Sequence, residues 1–240
     1  MYYPQAIVNW FSDLIFPVRC IGCKKFGEYV CRGCLGNISI KKNFECIGCK
    51  RNTPLGQTCF LCAKTYSLDQ LLIVADYKNL LVNKTIKFFK YKFIIDMEQS
   101  LSILIKKYLK WLTLDKNFNV FGSSPILVPV PLHLRRLNWR GFNQSELLTK
   151  DLADIFQMEL ASDVIVRTID STPQADIKER ELRLKNLDGI FGILNKEKII
   201  RREVLLIDDI CTTGTTLNEC AKVLKKNGAS KVVALVIARG

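Results

Sequence analysis

From residue 71 onward the chain alternates between two kinds of apolar pattern. Short runs at Ile126–Pro131, Val164–Arg167, Glu203–Asp208 and Lys231–Ala238 are almost wholly apolar. Runs of that length predict strands covered on both faces. Between them, apolar residues recur three or four apart. Ile86, Phe89 and Phe93 make one stripe, and Leu101, Leu104, Ile105, Tyr108, Leu109 and Leu112 a second. Leu147, Leu148, Leu152 and Ile155 make a third, and Leu217, Cys220, Ala221 and Leu224 a fourth. Each stripe predicts an amphipathic helix, the last three over 97–112, Ser145–Phe156 and Thr215–Lys226. Asn227-Gly228 stops the last of them. Alternating strands and helices predict an α/β fold with a mostly parallel sheet flanked by helices.

Other stretches break the pattern. Residues 113–124, rich in Asp, Asn and Ser, read as a loop. Thr168–Asn186 is polar and charged without an apolar period, which suits an exposed excursion or lid. Pro129 and Pro131 lack N–H donors and end their strand. The segment that follows, Leu132–Gln144, carries Arg135, Arg136 and Arg140 beside that strand end. Guanidinium groups so placed suit a phosphate or pyrophosphate. His133, the sole histidine, is read as a polar packing residue rather than a catalyst. Upstream, Ile7, Trp10 or Phe11, and Leu14 share one face of a helix over 5–16, stopped by Pro17. Two readings fit that helix: packing on its own domain, or a peripheral membrane contact.

The most informative stretch is Val204–Leu217, where an apolar strand runs into Asp208 and Asp209, then a hydroxyl-rich turn, then a helix. Ligands of open α/β sheets sit outside the carboxyl ends of the strands. A helix N-terminus with free N–H groups and hydroxyls receives anions. Two carboxylates hold sugar hydroxyls or a hard cation such as Mg²⁺. Together they imply a sugar phosphate. Cys220 lies on the core stripe of the following helix, and Cys211, unpaired in the turn, is assigned no chemistry.

Composition changes this picture at the N-terminal end. Eight of the ten cysteines form four C-x-x-C pairs: Cys20/Cys23, Cys31/Cys34, Cys46/Cys49 and Cys59/Cys62. Asp13 interrupts the first apolar run and no basic n-region precedes it, so no signal peptide is read and a cytoplasmic location is expected. No apolar run reaches the ~18 residues that span a bilayer. Cytosolic cysteines stay reduced, so the pairs read as ligands for two structural zinc ions, with iron–sulfur clusters the alternative. Sequential sharing, with Cys20, Cys23, Cys31 and Cys34 on one ion and Cys46, Cys49, Cys59 and Cys62 on the other, closes the shorter loops. Gly22 and Gly48, each preceding the second cysteine of a pair, allow the tight turn.

The net charge is +13 and the pI about 9.3, which points to a polyanionic partner, with a basic proteome background the bland alternative. Residues 1–64 hold nine Lys/Arg against three Asp/Glu, and two tetrathiolate zinc sites, each about −2, would largely offset that excess. The remaining excess concentrates between Tyr77 and Lys110, with eight lysines against Asp96 and Glu98. There Lys87, Lys90 and Lys92 interleave with Phe88, Phe89 and Tyr91. Such interleaving serves single-stranded nucleic acid, and equally fits an amphipathic helix with solvated lysines.

Together these motifs resemble the ComF family. Ile207–Thr216 looks like the phosphoribosyl pyrophosphate (PRPP) signature of type I phosphoribosyltransferases. Val128–Pro131 with Arg140-Gly-Phe-Asn-Gln144, the spacing Arg167, Gln174, Arg183, Asn186, Phe191, and the leading Leu-Ile-Phe-Pro before the cysteine pairs are more specific. The resemblance implies a type I phosphoribosyltransferase-like domain over 67–240, behind an N-terminal helix and double zinc ribbon over 1–66. It implies that Asp208 and Asp209 face the ribose hydroxyls directly or through Mg²⁺ and form the catalytic centre. Thr212, Thr213, Gly214, Thr215 and Thr216 would cradle the 5′-phosphate, and the arginines Arg135, Arg140 and Arg183 would serve the PRPP site. The 168–190 excursion would cover it. It further implies a role in DNA uptake during natural transformation, with single-stranded DNA and uptake-machinery proteins as partners, at the inner face of the membrane. The alternative is an active phosphoribosyltransferase of nucleotide metabolism or salvage with an unidentified acceptor.

Overall fold

Four apolar runs form one parallel sheet in a computed structural model that describes residues 17–91, 96–120, 124–167 and 189–240. The strands are β1 (Gln70–Asp76), β2 (Ile126–Pro129), β5 (Glu203–Cys211) and β6 (Lys231–Arg239), in the order β1-β6-β5-β2. Val204 pairs with Ile126 on one side and Val232 on the other, so β5 and β6 lie inside and β1 and β2 at the edges. The edge strand β1 is a finding of the structure, as it was not among the expected strands.

Alternate residues of every strand enter opposite cores, as the two-residue pleat requires. Leu72, Val74, Leu127, Leu205, Ile207, Val233 and Leu235 face one core. It is filled by helices α2 (Leu80–Tyr91), α3 (Met97–Lys116) and α5 (Gln144–Phe156). Leu71, Ile73, Ile126, Val128, Val204, Leu206, Val232 and Ala234 face the other, against α6 (Thr215–Lys226). Burial on both faces explains why the strands read as unbroken apolar runs.

Two expectations shift. The strand at Val164–Arg167 is Ile165–Arg167 (β3), and it leaves the main sheet to pair antiparallel with β4 (Phe191–Ile193). The open edge of β2 is occupied instead by Glu159–Ala161, through Leu127 N to Glu159 O at 2.9 Å and Ala161 N to Leu127 O at 2.9 Å. The arginine-rich segment contains a helix, α4 (Leu134–Arg140), and α3 runs four residues past its expected end. The helix at 5–16, the 168–186 excursion, Lys92 and Arg183 lie outside the described residues.

The cysteine-rich segment, with its short helix α1 (Arg32–Gly36), packs into both cores. Ile21, Val30, Leu35 and Ile38 join the first, and Ile47 joins the second. Lys107 Nζ donates to the carbonyls of Gly36 and Ile38, both at 2.8 Å, pinning this segment to α3. Among the described residues, no helix is long and apolar enough to cross a membrane.

Candidate functional site

The eight paired cysteines gather in the two groups expected from sequence order. Within each group the ligand atoms lie within 4.8 Å of one another. Cys23 Sγ and Cys31 Sγ are 3.6 Å apart, and Cys49 Sγ and Cys59 Sγ 3.8 Å. A tetrahedron with Zn–S bonds of about 2.3 Å has edges of about 3.8 Å, so both groups fit zinc. Backbone N–H groups of Cys31 and Cys59 donate to Cys20 Sγ and Cys46 Sγ, both at 3.4 Å. Such donors hold sulfur as thiolate, the form a metal needs. Arg51, donating Nε to Cys49 Sγ, lowers that thiol to about 6. The glycines do more than permit a turn. A Cβ on Gly22 would stand 2.8 Å from Cys34 Sγ, and one on Gly48 2.7 Å from Cys62 Sγ, so a side chain there would collide with the other pair.

The second group touches the turn after β5. Gly214 has φ +83°, and a Cβ there would meet Ile47 Cγ1 at 2.6 Å. Ile47 belongs to the knuckle Cys46-Ile-Gly-Cys49 and is fully buried. Arg239, at the end of β6, clamps that knuckle. Its guanidinium donates to Glu45 Oε1 at 2.8 Å, Cys46 O at 3.2 Å and Ile47 O at 2.6 Å. The turn thus rests on a knuckle of the second cysteine group, held by the next strand. Within the turn the Thr213 and Thr215 hydroxyls share a hydrogen bond of 2.7 Å, and α6 begins directly after Gly214.

A cavity of about 300 Å³ opens at the carboxyl ends of β2 and β5. Asp208, Asp209, Thr212 and Thr216 line it from the β5 side, as do Arg135 and Arg140 from α4. Thr213, Gly214 and Thr215 are the neighbouring residues of the same turn. The cavity also takes in Arg136, marked in the sequence beside Arg135 and Arg140, the motif residues Asn143, Gln144 and Arg167, and Ser145, which carried no site signal of its own. Lys90 is among the lining residues too. It was expected beside Lys87 on a nucleic-acid face, but its Nζ pairs with Asp209 Oδ1 at 2.8 Å, while Lys87 stays exposed. The reason is helical geometry. Lys90 follows the buried Phe89 at the end of α2 and its stem reaches over the core edge to the acids.

The Arg140–Gln144 motif builds the opposite wall. Arg140 is 7% exposed and donates Nη1 to Gln144 Oε1 at 2.9 Å. Gly141 ends α4, and Phe142 anchors against Phe89 with ring centroids 5.7 Å apart. Asn143 caps α5 by accepting from Ser145 N and donates to Val130 O at 3.1 Å, fixing the helix over the β2 end. His133 caps α4, its Nδ1 accepting from Arg135 N at 3.0 Å, which gives the sole histidine a structural task.

Electrostatics set the site's preference. Ser145 Oγ donates to Asp208 Oδ1 at 2.8 Å, and Asp209 N donates to the same oxygen at 2.9 Å. Burial, and then the neighbouring Asp209 charge, push Asp208 up to about 7, against the pull of Lys90 and Ser145. Burial lowers Arg140, and Asp209 opposes that shift. Five cationic side chains line the cavity against two acids. Among the described residues, buried Arg140 Nε and Gln144 Nε2 have no hydrogen-bond partner. Unmet buried donors in a cationic cavity suit the oxygens of an anion, since leaving them unmet costs about 1–3 kcal/mol each. Cys211 and Cys220 are buried, and burial raises both thiols, Cys211 to about 11.

Comparison with known proteins agrees with this geometry. A family model described as "Phosphoribosyl transferase domain" matches residues 143–240. The chain is 28% identical over 230 residues to Competence protein F of Haemophilus influenzae, covering 89% of this chain and 98% of that protein. It is 26% identical over 223 residues to Competence protein ComFC of Bacillus subtilis, covering 90% and 86%. It is 35% identical over 113 residues to DNA utilization protein YhgH of Escherichia coli, covering 47% of this chain and 48% of that one.

Proposed function

The chain belongs to the ComF family, and from that footing we propose that it binds PRPP with Mg²⁺ and handles single-stranded DNA during DNA uptake in natural transformation. The observation that carries the ligand is the cavity's pairing of unlike groups. Asp208 and Asp209 suit ribose hydroxyls or Mg²⁺, the Thr212–Thr216 turn suits a phosphate, and Arg135 and Arg140 suit a pyrophosphate. Mg²⁺ would supply charge neutralisation to the pyrophosphate. On this reading PRPP·Mg²⁺ displaces an internal ion pair, because Lys90 compensates Asp209 before the ligand arrives. The names of the relatives, competence and DNA utilization, support the DNA role, and the exposed Lys87, on the same helix as the cavity-lining Lys90, suits a polyanion.

A second reading, turnover, is favoured by one observation. A carboxyl titrating near 7 in a ligand cavity is suited to take a proton from an incoming acceptor, and Asp208 is such a group. The acceptor would attack the anomeric carbon as pyrophosphate leaves, in a nucleotide metabolism or salvage step.

Calorimetric titration of PRPP with Mg²⁺ tests the site. The variant Asp208→Ala/Asp209→Ala should lose binding while its circular dichroism stays native, and unchanged affinity sinks the assignment. Pyrophosphate release across a panel of acceptors, single-stranded DNA included, separates binding from turnover.

A further inference from the structure

Helix α4 is turned inside out. It buries Arg140, 7% exposed, and shows Trp139 and Leu134 to solvent at 58% and 62% exposure. Burying a guanidinium while exposing an indole runs against the usual order of burial, and marks the outer face as a contact face. Tyr91, at the end of α2, is 55% exposed and stands beside Trp139, with ring centroids 6.2 Å apart and planes inclined by 54°. Beneath both rings lies the Arg140 guanidinium, 5.4 Å from the Tyr91 centroid and 5.9 Å from that of Trp139. The two rings are therefore held from below by a cation that also walls the cavity.

Each helix carries positive charge one turn before its ring. Lys87 precedes Tyr91 by four positions on α2, and Arg135 and Arg136 precede Trp139 by four and three on α4. Residues so spaced share a helix face. Lys87, Arg135 and Arg136 are all exposed. The two exposed rings meet between the helices, and each has cations one turn away on its own helix.

We propose that Tyr91 and Trp139 form a base-stacking platform for single-stranded DNA at the mouth of the sugar-phosphate cavity, with Lys87 and Arg136 tracking the flanking phosphates. The inference rests on the DNA role proposed above and names the surface that performs it. Only an unpaired strand can offer a base face to such rings, because a duplex keeps its bases stacked on one another. Charge complementarity commits the platform to a strand rather than an apolar partner. Since Arg140 touches both rings and the cavity wall, a stacked base lies one side chain from the sugar-phosphate ligand.

The test compares two fluorescent probes of equal length on the full chain, oligo(dT) and an abasic deoxyribose-phosphate strand, by anisotropy across a salt series. The wild type should prefer oligo(dT). Tyr91→Ala and Trp139→Ala should each weaken oligo(dT) by about 5- to 150-fold, the worth of one stacked base, and abolish the preference over the abasic strand. Their salt slopes should match the wild type, because no charge is removed. Tyr91→Phe and Trp139→Phe should restore binding, which excludes misfolding as the cause. Three results overturn the platform: oligo(dT) affinity unchanged in the alanine variants, equal wild-type affinity for both probes, or inhibition of oligo(dT) binding by free thymidine at concentrations that match the strand's own. If wild type binds neither probe, the proposed DNA role falls with the platform. PRPP calorimetry on the same samples reads the cavity separately, and neither ring lines it.

Discussion

Replacing Asp208 by Asn should stabilise the protein, and only above acid pH. The carboxyl titrates at about 7 in the fold against 3.8 in a free chain, because burial and the Asp209 charge disfavour its ionised form. Between those values the folded state holds a proton that the unfolded state has released. Stability therefore falls as pH rises from about 4 to 7 and levels off above the folded value. At about 1.4 kcal/mol per unit, the full shift costs on the order of 4 kcal/mol at pH 8. Asn keeps an oxygen to accept from Ser145 Oγ and from Asp209 N, and carries no charge to desolvate. In a chain of this size each kcal/mol moves Tm by about 2–4 °C, so Asp208→Asn should melt about 8–16 °C higher than wild type at pH 8. At pH 4.5, less than a unit above the free-chain value, the gap should shrink to about 1 kcal/mol, or about 2–4 °C. Thermal melts followed by circular dichroism in Mg²⁺-free buffers from pH 4.5 to 8 measure this. A Tm difference that does not change with pH would refute the reasoning, since it would place the carboxyl in an ordinary solvated state.

Metal analysis of the purified chain should return two zinc ions, one per cysteine group, and one or none would overturn the fit of those groups to the metal. Gly214→Ala should cost about 2–5 kcal/mol, from a left-handed backbone and a collision with Ile47, and weaken PRPP binding. In an Ile47→Ala background the same change should cost about 1–3 kcal/mol less, whereas additive effects in a double-mutant cycle would show that the two residues do not press on each other.

The sheet was legible because strands buried on both faces leave unbroken apolar runs, and Val204–Ile207 and Val232–Val236 are such runs. The turn between β5 and α6 was legible because an apolar run ends at two acids and a hydroxyl-rich stretch leads into the next helical stripe. Sequence spacing puts Lys90 with Lys87, while side-chain reach puts it on Asp209, a pairing that spacing alone does not reveal. Ser145 and Gln144 carried no sequence mark of their orientation, which Asn143 sets by tying α5 to Val130. Arg239 did leave a signal. A charge closing an otherwise apolar strand must find partners, and it finds the carbonyls of Cys46 and Ile47, whose distance in sequence hid the pairing. Trp139 carried no reading of its own in a segment read for its arginines, His133 and the Arg140–Gln144 motif, so the exposed face of α4 awaited the helix itself.

The clamp between Arg239 and the second knuckle has a consequence for the order of folding. The cysteines of each group span 15 or 17 residues, so a metal would gather them through short loops at small entropic cost. The Arg239 contacts join residues 192 to 194 positions apart, and contacts of such separation form slowly. Ile47 can support Gly214 only after both events. The turn between β5 and α6 should therefore be the last part of the molecule to take shape during refolding. In stopped-flow experiments with zinc present, PRPP binding should then lag the recovery of secondary structure, and simultaneous recovery would refute that sequence of events.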